Sequence, residues 1–211
     1  MANYKVPVGI SKSQIKVLNS QFIGILSYVS SVEEARAFIK TVKGLYPDAS
    51  HHVPAFVIGY GNSIIEHQSD DGEPAGTAGM PVLSVLRGAD LGDSIIVVTR
   101  YFGGIKLGTG GLVRAYTDAA KAVLSEGKLG MLSFTNVFGV EIPYSQYESY
   151  IRELSALNAR VEEEVFAEKV SIKFRIDATK SSEVLGVIKS HFYSLNEPKC
   201  VAQNEQSIIP L

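Results

Sequence analysis

Asp70-Asp71-Gly72-Glu73 places three carboxylates within four residues, at the head of a loop that runs on through Pro74-Ala-Gly-Thr-Ala-Gly79. Paired carboxylates can work as general acid and base, or hold a divalent ion. With His52 or His67 beside them in the fold, they would make a hydrolase site. The spacing is not that of an EF-hand loop, and the plainer reading is a solvated acidic turn. His51 and His52 begin a strand, so their side chains diverge and cannot chelate together. No catalytic residue, metal-ligand set or cofactor is assigned. Asp70, Asp71, Glu73 and His52 stand as residues at the rim of a surface site.

The second candidate is basic. Ten of the 19 glycines lie between Gly72 and Gly111. Glycine carries a cost in backbone entropy, so this density needs a reason: tight packing of turns, or a surface where backbone amides approach a ligand. Gly108-Thr109-Gly110-Gly111 reads as a loop just before a helix, whose free N–H groups and dipole favour an anion. Arg100 ends the preceding strand, Lys106 lies in the loop, and Arg114 falls in the first helical turn. From Ser94 to Lys121 there are four basic residues (Arg100, Lys106, Arg114, Lys121) against Asp118 alone, a local +3 in a chain of net −2. Arg100, Lys106, Arg114 and Gly108, Thr109, Gly110 and Gly111 are therefore the candidate contacts to an anion or a phosphate backbone. Tyr101, Phe102 and Tyr116 are interleaved and could stack on bases, although core burial claims at least one of them. Gly110 is expected to need a positive φ.

The familiar nucleotide signatures are absent. There is no Gly-x-x-x-x-Gly-Lys-Ser/Thr, and Val113 stands where a dinucleotide fingerprint needs its third glycine. The single cysteine, Cys200, cannot form an intramolecular disulfide or a cysteine zinc site, and reads as a small buried residue.

These residues need elements to hold them. Two strands are expected over 13–29 around the turn at Asn19-Ser20. Ser31 caps a helix, with Glu34 completing a capping box, and Pro47 stops it. Strands follow at Val53–Tyr60 and Ile64–Gln68. A helix runs from Thr77, as its cap, to Arg87. Ser94–Tyr101 is a buried strand, and Leu112–Ser125 a helix with an apolar repeat. Gly127-Lys128-Leu129-Gly130 reads as a boundary. It divides the chain into a domain at 1–130 and one at 131–211. The second holds a strand at Phe134–Ile142, a helix at Tyr144–Leu157, strands at Arg160–Phe166 and Lys169–Ile176, a helix at Thr179–Phe192 and a strand at Cys200–Ile208. That order is βαββαβ, a ferredoxin-like split unit.

Charge separates the halves as well. Residues 1–130 carry 12 basic and 11 acidic side chains, and residues 131–211 carry 8 and 11. A pI near 6.1 gives no global basic footprint, so nucleic acid would need a local patch. No segment approaches the length of a membrane helix, and Met1 to Gln14 hold no apolar signal core. The expected setting is the cytoplasm.

Ser69-Asp-Asp-Gly-Glu-Pro-Ala-Gly-Thr-Ala-Gly79 and Val97-Val-Thr-Arg-Tyr-Phe-Gly-Gly-Ile-Lys-Leu-Gly-Thr-Gly-Gly-Leu-Val-Arg-Ala-Tyr116, in that order, resemble the signature of the IMPACT family in its bacterial, YigZ-like branch. The resemblance covers about residues 10–125. It implies an α+β chain of two domains. The N-terminal one would be a βαβ fold like domain 2 of a ribosomal-protein superfamily, shared with domain IV of elongation factor EF-G. The C-terminal one would be ferredoxin-like, as in domain V of that factor. It also implies a non-enzymatic nucleic-acid- or ribosome-binding protein with a role in regulating translation. RNA or the ribosome would be the partner, with a translation factor or regulatory protein as a further class, and no membrane. The alternative is a peptidase-like hydrolase built on Asp70, Asp71 and Glu73 with a nearby histidine.

Overall fold

A computed structural model describes residues 3–211. The elements run β1 (Tyr4–Pro7), β2 (Ser11–Val17), β3 (Ser20–Tyr28), α1 (Val32–Leu45), β4 (His51–Tyr60), β5 (Ser63–Gln68), α2 (Gly79–Gly88), β6 (Ser94–Tyr101) and α3 (Gly108–Glu126). They continue as β7 (Leu129–Ile142), α4 (Tyr144–Ala156), β8 (Arg160–Phe166), β9 (Val170–Asp177), α5 (Ser181–His191) and β10 (Lys199–Pro210). The fold is α+β, and the chain divides into two compact units. One is Tyr4–Met131 with Ile208–Leu211, and the other is Leu132–Ser207 with Asn3. No helix among the described residues is long and apolar enough to cross a membrane.

In the first unit, β2, β3, β6, β4 and β5 form one antiparallel sheet in that order. Strand side chains alternate between faces, and both faces of this sheet are covered. Phe22, Leu26, Val53, Ala55, Ile96 and Val98 pack against α2 and α3. Ile23, Ile25, Phe56, Ile58, Ile95 and Val97 pack under α1, through Ala35, Val42 and their neighbours. β6 is central, which is why Ser94–Tyr101 reads as a continuous apolar run rather than an alternating one.

Local signals account for the ends of these elements. Ser31 Oγ accepts from the Glu34 N–H at 3.1 Å, as the capping box requires. The returning arm differs: Glu34 Oε2 accepts from Ser30 N and Oγ rather than from Ser31. Thr77 does not cap α2. Its hydroxyl donates to the Pro74 carbonyl at 2.7 Å, and the helix begins two residues later. The Gly108–Gly111 run is not a loop but the first turn of α3. β1 carries no expectation from the sequence, because four residues are too short for a period. Lys5 forms a parallel bridge to Leu91.

In the second unit β9 lies between β7 and β8, and β10 also pairs with β7. With α4 and α5 this is the βαββαβ order. Phe138, Val140, Ile142, Ile172 and Phe174 face Tyr150, Leu154, Val184 and Ile188 from the helices. Cys200 is exposed in β10, not buried: the strand is peripheral, and its outward positions meet solvent.

Candidate functional site

The acidic turn is held from every side. Asp71 and Gly72 both take positive φ, 46° and 89°, which aspartate tolerates better than most residues and glycine accepts without strain. Asp71 Oδ2 accepts the His52 backbone N–H at 2.7 Å. Its Oδ1 accepts from Lys43 Nζ at 2.9 Å, and its carbonyl lies 2.8 Å from His51 Nδ1. A carbonyl only accepts, so that nitrogen carries the proton.

Asp70 does the capping that Thr77 does not. Its carboxylate accepts from the backbone N–H groups of Gly76, Ala78 and Gly79 at 2.8, 3.0 and 2.8 Å, which places an anion on the N-terminus of α2. Burial pushes this carboxyl up, but the three N–H donors outweigh that and hold it below the usual carboxylate range. A Cβ on Gly79 would come within 2.8 Å of the Ser69 backbone carbonyl, so glycine lets the helix start this close to the turn.

Glu73 turns inward. Its side chain is 4% exposed, and Oε1 accepts from Arg100 Nη1 at 2.6 Å and from the Tyr116 hydroxyl at 2.7 Å. Burial, followed by the hydrogen bond to Glu73, pushes the Tyr116 phenol far up, so it stays protonated and donating. His51 Nε2 lies 3.8 Å from the same carboxylate oxygen. His52 is buried, its Nε2 at 2.9 Å from the Tyr46 carbonyl. His67 is exposed, its ring against Phe56.

Asp70, Asp71 and Glu73 therefore do not form one carboxylate cluster. One caps a helix, one pins a strand backbone, and one neutralises a buried arginine. Neither His52 nor His67, the histidines the hydrolase alternative named, joins them; the histidine beside Glu73 is His51.

The basic candidates are redistributed too. Arg100 is buried at 5% exposure. Its guanidinium lies over the rings of Phe22 and Phe102 at 5.4 and 5.3 Å, and Nη2 reaches Ser20 Oγ at 3.4 Å. It is thus removed from the set that could touch a phosphate backbone. Lys106 and Arg114 are exposed, and neither makes an ion pair with a described residue. Because α3 starts at Gly108, Arg114 falls in its second turn rather than its first. Leu107 caps α3 without any side-chain bond, and the first turn holds no acid. Thr109 and Gly110 are exposed and Gly111 half-buried. The positive φ is at Gly108, 69°, and not at Gly110. A Cβ on Gly110 would meet nothing within 4 Å, so the backbone there is open rather than strained.

The aromatics separate in the same way. Tyr116 is fully buried, Tyr101 is half-buried, and Phe102 is 47% exposed. What the sequence does not reveal is the connection: Glu73 from the first motif meets Arg100 and Tyr116 from the second. The signal available was a carboxylate in one motif and a cation in the other.

The Impact N-terminal domain family matches residues 18–124. An IMPACT family member of Haemophilus influenzae is 42% identical over 69% of this chain and 71% of its own. The IMPACT family member YigZ of Escherichia coli is also 42% identical, over 60% of this chain and 62% of its own. A solved structure described as a hypothetical protein is similar over 97% of this chain and 99% of its own, with 30% identity and a TM-score of 0.64.

Proposed function

The chain belongs to the IMPACT family, and on that membership together with the exposed cations at α3 we propose that it is a non-enzymatic nucleic-acid- or ribosome-binding protein acting in the regulation of translation. The family resemblance points the reading to translation, through the ribosomal-protein-like character it implies for the first unit. The observation that carries the binding surface is the pairing of Lys106 and Arg114, exposed and without a carboxylate partner among the described residues, with the uncapped start of α3. α2 shows the contrast: there the corresponding N–H groups already hold the Asp70 carboxylate. With Arg100 neutralised by Glu73, the cations left to the surface of this stretch are Lys106, Arg114 and Lys121 against Asp118, a net of +2.

Binding of this kind is electrostatic, of low sequence specificity and steeply dependent on salt. The partner is RNA or the ribosome, and the setting is the cytoplasm. A translation factor or regulatory protein is a further class of partner. The test is co-sedimentation with ribosomes and titration of RNA across a salt series. Lys106→Ala and Arg114→Ala should each reduce the slope of log affinity against log salt by about 0.7–0.9. A folded double variant that binds with unchanged affinity and slope would overturn the reading.

A further inference from the structure

We propose that Phe102 is a stacking platform for an unpaired nucleobase, so that the nucleic acid taken by this surface is single-stranded. The inference rests on the nucleic-acid reading above and deepens it.

A large apolar ring in a loop normally turns inward, yet Phe102 is 47% exposed. It is not loosely held. The Arg100 guanidinium lies 5.3 Å from its centroid and 5.4 Å from that of the buried Phe22, within cation–π reach of both rings. Arg100 is fixed by Glu73 at 2.6 Å, and Glu73 by Tyr116. The backbone under the ring is tied as well. The Phe102 N–H donates to Ser50 Oγ at 3.1 Å, and the Gly103 N–H to Ser20 Oγ at 3.2 Å. Gly103 packs so closely on Asn19 that a Cβ could not fit. The ring is thus backed by a buried cation, and about half of the residue's surface remains exposed to solvent. Beyond it the chain opens: Gly104 takes φ 84° with nothing near its Cβ position, Ile105 is 46% exposed, and Lys106 follows.

An exposed aromatic ring held in place four residues before the exposed Lys106 suits a strand whose bases are free. Stacking of a base on an aromatic side chain is tolerant of sequence because every base has a π face. Bases inside a duplex are already paired and stacked, and cannot offer that face. The buried network of Glu73, Arg100 and Tyr116 gains a role in this arrangement, as the support that orients the ring.

The test uses the full chain and two probes: a short labelled oligouridylate and a blunt RNA duplex of the same length. Fluorescence anisotropy reads both, with the melting temperature of each variant measured in parallel. The wild type should prefer the single strand. Phe102→Ala should weaken single-strand binding about 5- to 150-fold, the loss of one stacked base, and leave duplex binding nearly unchanged. Phe102→Trp should retain single-strand binding. Phe102→Leu keeps an apolar cover over Arg100 but removes the π face, so it should bind as poorly as Phe102→Ala while melting close to the wild type. Single-strand affinity that is unchanged in Phe102→Ala or Phe102→Leu would overturn the platform while leaving the nucleic-acid reading standing. So would an equal loss on both probes. A wild-type chain that binds neither probe would overturn both.

Discussion

Glu73 is the residue on which the two sequence motifs meet. It lies 27 positions before Arg100 and 43 before Tyr116, and bonds both through one oxygen. Burying an ion pair costs desolvation that Coulomb attraction only partly returns, so such a pair is weak evidence for stability. Its value here is in direction: it fixes which way the acidic turn and the end of β6 face each other. Glu73→Gln keeps the shape and the hydrogen bond to Tyr116 but strands a charged guanidinium that is 6% exposed. We expect a loss of about 3–5 kcal/mol in urea unfolding, the range for removing one partner of a buried pair. Replacing both charges, as Glu73→Leu with Arg100→Leu, should recover part of that loss, because no charge is then left alone. A double variant less stable than Glu73→Gln would show that the pair supports more than its own neutrality. At this scale the sequence displayed the residue types but not their fates. Arg100 and Lys106 are equally basic on the page, and the difference lies in strand register. Arg100 sits opposite Phe22 and His51 in the middle of a sheet, whereas Lys106 precedes a helix in an open segment.

Elements were more legible than residues, and for a physical reason. The 3.6-residue repeat of α1 and α3 and the apolar run of β6 are properties of consecutive residues, so they can be seen without knowing any partner. The misplaced boundaries lie where a distant group decides. α2 starts where Asp70, nine residues before Gly79, supplies its cap, and no local residue signals that. α3 begins four residues earlier than its apolar repeat because glycines carry no periodicity to read. β3 shows the converse, a residue whose meaning is set by packing alone. A Cβ on Gly24 would come within 2.9 Å of the Ala119 carbonyl and 3.0 Å of Val123 Cβ. The absent side chain is what lets α3 lie close on the sheet between Phe22 and Leu26. Gly24→Ala should force the helix outward and cost about 1–3 kcal/mol, the usual penalty of overpacking. The measurement is the denaturation midpoint of Gly24→Ala beside that of Gly88→Ala, where a Cβ meets nothing within 4 Å. A midpoint for Gly24→Ala that matches Gly88→Ala would show that α3 can shift freely.

On the scale of the whole chain, the cores are built from separate residues. Phe22, Leu86, Ile96 and Tyr116 belong to the first unit, and Phe138, Leu154, Ile172 and Phe174 to the second. The charge follows the same division, since residues 1–130 are nearly balanced while residues 131–211 carry three more acids than bases. Acidic surface on the second unit would repel a polyanion. Attraction of a polyanion to the cations proposed as contacts, Lys106 and Arg114, would therefore act within a Debye length, about 8–10 Å. Separate cores predict separate responses. Leu154 is fully buried between α4 and the sheet of the second unit. Leu154→Ala removes its contacts and leaves a cavity, a change that costs about 2–5 kcal/mol. If each core is its own cooperative unit, amide hydrogen exchange in the variant should quicken within Leu132–Ser207, and the slowest amides of β3, β4 and β6 should keep their wild-type rates. Leu86→Ala, at an equally buried site in the first unit, should give the reverse pattern. Faster exchange in both units from either substitution would mean that the chain opens as one body.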